Sequence, residues 1–298
     1  MRTSGILAGV AASCLLASAC GERAEPKTDS VPLYPVTVPA AGQTIVSTSR
    51  PARIVALTRA AVSTLVELGV GERIVGVPAS ARRAVPRAAV VVESDGRLMG
   101  EELRRLSAEL VVSSPFFDPA EVRRAIRPSA PVFVGSDDTI SQVERTIGRL
   151  GLLVGEPLAA RRLVAEIERA RRRVTGALRG RPLRTVFVDT GFFTTVSGFG
   201  LVGDVIRQAR GRSVAGRTPE PGPFSLAALR RLDPQVYLVT SESDVTLAML
   251  RRHPDAKRLQ AVRRGRFGVV PSELLLPGAQ IGAGLVAVAR LLHPDAFR

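Results

Sequence analysis

Short runs of aliphatic and β-branched residues recur along the first half of the chain: ARIVAL (52–57), IVGV (74–77), AVVV (89–92), ELVVSS (109–114) and PVFVG (131–135). Each is bounded by polar or turn-forming residues, the pattern of strands buried on both faces. Between several of them the apolar positions shift to helical spacing, as in GEELRRLSA (100–108) and DPAEVRRAI (118–126). Strands alternating with helices predict a mostly parallel sheet covered on both sides. Residues 57–77, LTRAAVSTLVELGVGERIVGV, show one unit in full. A strand ends, the chain turns at Thr58-Arg59, a short helix runs to a stop at Gly69, and a new strand begins near Arg73.

Residues 157–178 differ. Leu163, Val164, Ile167, Ala170, Val174 and Leu178 recur at helical spacing among Arg and Glu, with Pro157 suited to the first turn and Gly180 to the exit. Such a helix is about 30 Å long, the breadth of a small domain. The alternation then restarts: strands at 184–189, 235–240 and 266–270, helices at 200–209, 224–232 and 281–292. LRRLSAELVVSS and LRRLDPQVYLVT form a weak internal repeat, which suggests two lobes of similar build. The expected fold is therefore α/β, with two lobes, each a mostly parallel sheet flanked by helices, bridged by one long helix. The expected boundaries are 49–155 for the first lobe, 156–179 for the connecting helix and 180–298 for the second lobe.

The N-terminus changes the picture of location. MRTSGILAGVAASCLLASAC has a basic start at Arg2 and an apolar run over 6–16, then Ala17, Ser18 and Ala19 before Cys20. The run is too short to span a membrane as a mature helix and has the proportions of a signal peptide, residues 1–19. Small residues before Cys20 resemble a bacterial lipobox, which implies that Cys20 is lipidated and heads the mature chain. Ala17 departs from that pattern, where Leu is usual, and an ordinary secretory signal is the alternative. The polar segment 21–33 reads as a tether, with an extended stretch at 34–44, so that 20–48 joins anchor to lobe. The expected location is the outer face of the cytoplasmic membrane. The chain has two cysteines, Cys14 and Cys20; the first leaves with the signal and the second carries lipid, so no thiol remains for a disulfide, zinc site or catalysis.

The formal charge is +15, with 42 Lys and Arg against 27 Asp and Glu over 298 residues. The arginines fall mostly on expected helix faces, without a basic stripe interleaved with aromatics, so they read as solvated faces rather than a nucleic-acid surface. No G-x-S-x-G, phosphate loop or H-E-x-x-H is present, and nothing local supports an enzyme.

Six segments in order carry a family resemblance. YPVTVPAAGQTIVSTSRPARIVAL, LVELGVGERIVGV, LRRLSAELVVSS, LRRLDPQVYLVT, LQAVRRGRFGVVPSELLL and VARLLHPDAF resemble the substrate-binding proteins of ABC importers that take up ferric siderophores, haem and cobalamin. The resemblance implies a non-enzymatic, monomeric, membrane-tethered binding protein with its ligand between the lobes and an ABC permease as partner. It also implies an acidic residue on a helix of each lobe for permease docking. Those positions fall on Ser63 and Arg207, and the nearest carboxylates, Glu67 and Asp204, are the candidates to substitute.

In open α/β sheets ligands bind beyond the carboxyl ends of the strands. The loops there supply Thr58, Arg59, Arg82 and Arg83, then Phe116 and Phe117, then Phe192, Phe193, Phe199 and Phe224, and finally Glu242. Aromatic rings suit a large, partly apolar ligand, and arginines suit carboxylates or an anionic chelate. Only His253 and His293 exist, both before Pro near helix ends, and no His, Tyr or Cys falls on these loops. No metal ligand or cofactor is expected of the protein itself. A ligand whose metal is already coordinated, a ferric siderophore or corrinoid, fits better than haem or a free ion. A tethered sensor or scavenger on the same fold is the alternative, and an enzyme using the same cleft the more distant one.

Overall fold

The computed structural model describes residues 34–40, 43–128, 130–216 and 222–297. The expected signal segment 1–19, the lipidation site Cys20 and the tether to residue 33 lie outside the described residues.

Strands β1 (Val36–Ala40) and β2 (Gln43–Ser47) pair antiparallel, burying Val38 and Ile45. The first lobe then runs β3 (Ile54–Ala56), α1 (Arg59–Glu67), β4 (Ile74–Pro78), β5 (Ala89–Val92), α2 (Gly100–Arg105), β6 (Leu110–Ser113), α3 (Pro119–Arg124), β7 (Val132–Val134) and α4 (Ile140–Val154). Its five strands lie in the order β5-β4-β3-β6-β7, all parallel. Helix α5 (Pro157–Ala177) leads to the second lobe: β8 (Arg184–Asp189), β9 (Thr194–Thr195), α6 (Leu201–Gln208), β10 (Gly211–Ser213), β11 (Gly222–Pro223), α7 (Leu226–Leu232), β12 (Val236–Thr240), α8 (Leu247–Arg252), α9 (Gln260–Arg263), β13 (Phe267–Val270) and α10 (Ile281–Leu292). Four of these strands form a parallel sheet in the order β10-β8-β12-β13, while β9 and β11 pair antiparallel beside it.

The period-2 alternation of the strands decides which core each side chain joins. Ile54, Ala56, Leu110 and Val112 of the first sheet share one core with Val186, Val188 and Leu238 of the second, joined through Leu163, Ile167 and Val174 of α5. The alternate residues face outward into separate cores. Val55, Leu57 and Val111 pack with Leu103 and Val122 under α2 and α3. Phe187, Tyr237 and Val239 pack with Leu229 and Leu250 under α7 and α8.

The hydrophobic spacing above does not assign α4. Its start is a capping box: the Thr139 hydroxyl accepts from Gln142 N–H at 3.2 Å, and Gln142 Oε1 accepts from Thr139 N–H at 3.0 Å. Its end is Gly155 at φ 76°, the left-handed turn that glycine adopts at little cost. The amide of Ile140, in the first turn, donates at 2.9 Å to Asp204 Oδ2, on α6 of the other lobe. Asp204 is only 5% exposed and also accepts from Gln208 and Arg207.

Two glycines set how closely the lobes approach α5. A Cβ on Gly151 of α4 would lie 2.3 Å from Ala160 Cβ, and one on Gly282 of α10 would lie 3.0 Å from Ile167 Cα. Gly148, one turn before Gly151, has nothing within 4 Å of its Cβ position. Gly148→Ala should therefore stabilise the fold by roughly 0.5–1 kcal/mol through helix propensity. Gly151→Ala should destabilise it by roughly 1–3 kcal/mol through overpacking. Urea unfolding of the two variants against the parent checks both signs.

Candidate functional site

In the first sheet the chain builds outward from β3 to β4 and β5, then returns to the other side of β3 for β6 and β7. The crevice at that reversal, beyond the carboxyl ends of β3 and β6, is where open α/β sheets bind ligands. A cavity of about 390 Å³ opens there. Thr58 and Arg59 follow β3 into it, Ser114, Phe116 and Phe117 follow β6, and Asp137 follows β7. Leu276 and Pro277 of the second lobe close it from the other side.

The Thr58 hydroxyl caps α1, accepting from Ala61 N–H at 3.1 Å. That geometry places Arg59 in the first turn, facing the other lobe. Arg59 Nη1 donates to Glu242 Oε1 at 2.7 Å, and Ser272 Oγ donates to the same oxygen at 2.9 Å. The hydrogen bond from Arg59, then that from Ser272, holds the Glu242 carboxyl below the usual carboxylate range. Glu242 follows β12, so the ion pair ties the carboxyl edges of the two sheets across the cleft. A second tie lies behind it, where Gln280 Nε2 donates to Glu67 Oε1 at 2.8 Å.

The phenylalanines divide. Phe116 is 79% exposed at the cavity and meets the buried Phe117 edge to face, ring centroids 5.3 Å apart. The rings expected from the second lobe do not line this cavity. Phe224 packs on Phe187 at 5.4 Å and Phe193 on His253 at 5.4 Å, so both are committed to the outer core of the second sheet. Phe192 and Phe199 stay exposed at the carboxyl edge of that sheet. The turn holding Phe192 and Phe193 is fixed from beneath. Asp189, fully buried, accepts from Gly191 N–H at 2.8 Å, Phe193 N–H at 3.1 Å and the Tyr237 hydroxyl. Phe192 and Phe193 take φ of 43° and 63°, a left-handed conformation that costs side-chain-bearing residues energy. Burial, then the Asp189 charge, raises the Tyr237 phenol far above its ordinary pKa. His253 Nδ1 accepts from the amides of Asp255 and Ala256, a helix-end role.

Three charged candidates are placed differently from the expectation. Arg82 is not among the cavity's lining residues and donates to Ala88 O at 2.6 Å. Arg83 lines a neighbouring recess of about 320 Å³, together with Glu67 and Gln280. Asp204 is a correction: it is buried and spent on capping α4, so its charge is not presented outward for a partner. Asp137, which the sequence reading passed over, lines the cavity, and burial, then neighbouring Asp138, raises its carboxyl pKa. Its position after β7 was the signal that would have found it.

The sequence model of a family described as periplasmic binding protein matches residues 54–274. No curated protein matches the chain significantly. The crystal structure of Helicobacter pylori CeuE with Ni(II) bound superposes with TM-score 0.77 at 16% identity, covering 88% of this chain and 90% of that one. The periplasmic vitamin B12 binding protein BtuF of Vibrio cholerae gives TM-score 0.72 at 15% identity, covering 84% and 99%. The periplasmic heme-binding protein RhuT from Roseiflexus sp. RS-1 gives 0.70 at 24% identity, covering 82% and 98%. At these identities the structural likeness establishes the two-lobed fold.

Asp137 makes a pH-dependent prediction. Because its carboxyl ionises less readily folded than unfolded, it costs nothing below the unfolded value of 3.8, and the cost appears as pH rises through the raised folded value. Asp137→Asn should thus raise the thermal midpoint by about 2 °C at pH 7, the partial exposure keeping the gain small, and leave it unchanged at pH 3. Scanning calorimetry at the two pH values checks this.

Proposed function

The chain belongs to the periplasmic binding protein family, and from that premise we propose that it captures a metal chelate between its lobes and delivers it to an ABC importer. The ligand in this reading is a ferric siderophore or a corrinoid. The protein acts as a carrier rather than an enzyme, tethered outside the cytoplasmic membrane through lipid on Cys20.

The observation that carries the reading is the cavity at the reversal point of the first sheet. It is mostly apolar, carries an exposed Phe116 at its edge, and is closed by the second lobe through Pro277 and the Arg59–Glu242 pair. Apolar surface with a few placed polar groups is how such proteins hold sizeable organic ligands. Among the described residues no three His, Cys, Asp or Glu side chains group into a metal-holding cluster. The similarity to solved vitamin B12- and heme-binding proteins supports a metal chelate as cargo. Among the described residues no helix is long and apolar enough to cross a membrane.

A tethered scavenger or sensor is the second reading. It is favoured by the fate of the two docking candidates, since Asp204 is buried and the Glu67 carboxylate already accepts from Gln280.

Native mass spectrometry and calorimetric titration of the protein with ferric siderophores and cobalamin test the ligand class. Binding to one class at micromolar concentration is expected, and Phe116→Ala should weaken it roughly 2- to 12-fold, the value of one aromatic contact. No binding to either class at that concentration ends the chelate reading. In the host, Cys20→Ser should move the protein from the membrane to the soluble fraction. Glu67→Arg should reduce uptake if the importer docks on α1, whereas full uptake would place docking on another surface.

A further inference from the structure

The chain carries a formal charge of +15, but the cavity beyond β3 and β6 does not share it. Among the described residues its lining holds three ionisable side chains, Arg59, Glu93 and Asp137, one cation against two carboxylates. The first two are already matched. Arg59 is taken by Glu242 across the cleft at 2.7 Å, and Glu93 Oε1 lies 2.6 Å from Arg97 Nη2. Asp137 has no ion pair among the described residues. The one charge felt at its carboxyl is the like charge of Asp138, and the only group there that favours ionisation is its own main-chain amide.

The chain fixes this carboxylate in place. Asp137 stands between β7 and α4, on a short connection tied at both ends. Thr146 Oγ1, on α4, donates to Ser136 O at 2.9 Å, and Thr139 opens α4 with its capping box. Gly135 lets α4 close over the strand end, since a Cβ there would lie 2.4 Å from Thr146 Cγ2. Elsewhere in the lining, the hydroxyls of Thr58 and Ser114 already accept from the amides of Ala61 and Phe116. A carboxylate set among apolar walls costs energy until a donor or a cation meets it.

We propose that Asp137 is a specificity-determining residue of the cleft, selecting a chelate of neutral or positive net charge that presents an N–H or ammonium donor to it. The inference rests on the reading of this cavity as the ligand site and narrows the cargo within it. A donor on the ligand gains a charge-assisted hydrogen bond to Asp137. A strongly anionic chelate meets like charge there, which is how a site rejects the wrong partner. Nor do the first-lobe arginines compensate. Arg59 must release Glu242 before it can receive an anion, and Arg82 is turned to Ala88 O.

The test is calorimetric titration of the mature protein at neutral pH and constant ionic strength with three probes. These are ferrioxamine B, a hydroxamate chelate with a free ammonium; cyanocobalamin, neutral overall with amide N–H donors; and a strongly anionic ferric tris-catecholate. Ferrioxamine B or cyanocobalamin should bind at micromolar concentration, at least about tenfold more tightly than the tris-catecholate. Asp137→Asn, which keeps the shape and removes the charge, should weaken the tighter chelate at least about fivefold. Asp138→Asn removes the neighbouring charge, at an exposed position outside the lining, and should change that affinity less than about twofold. A tris-catecholate affinity within about tenfold of the best probe overturns this inference and leaves the chelate reading standing. So does a loss in Asp137→Asn no larger than that in Asp138→Asn. Binding of none of the three probes ends both.

Discussion

The structure depends on how two sheets are fixed to one helix. In a parallel sheet every strand ends on the same edge, so each lobe has one functional edge and one blind edge. Two functional edges form a cleft only if something holds them opposed. Helix α5 does this by packing against α4 at Gly151 and against α10 at Gly282, where the absence of a side chain lets helices approach within contact of backbone and β-carbons. The apolar stripe of α5 then fuses the inner faces of both sheets into one core. The cleft follows from this fusion.

The other end of the cleft is held differently. Arg59 and Glu242 are 35% and 57% exposed, and a pair this wet contributes roughly 0–1 kcal/mol. The buried core along α5 contributes far more for every large side chain it covers. The lobes are thus tightly joined at the spine and lightly joined at the mouth. A ligand entering near Arg59 competes with a weak contact rather than a strong one, so access to the cavity requires little energy.

Much of this was legible in the chain. The strands were visible because burial on both faces gives uninterrupted aliphatic runs, and the rule that ligands sit beyond strand ends placed Thr58, Arg59, Phe116 and Phe117 at the cavity. Helix α4 was harder. It begins after the polar run 136–139 and carries Gly148 and Gly151, which mask its periodicity, although Thr139 and Gln142 spell out the capping box. The phenylalanines of the second lobe were misleading for a physical reason. The turn after β8 is held by Asp189, which accepts from the nearby amides of Gly191 and Phe193 and also from the Tyr237 hydroxyl, 48 residues on, and that last contact has no local signature.

Asp204 carries a consequence for how the halves of this chain relate. Its carboxylate supplies the acceptor for the first-turn amide of a helix in the opposite lobe, so one lobe completes the secondary structure of the other. Severed at α5, the first half would keep an unsatisfied helix start and the second a buried charge without its main-chain partner. The two lobes share the LRRL segment before a strand, yet they are not interchangeable modules. They share one core along α5, and a lobe grafted from a relative must bring along the carboxylate that its neighbour expects.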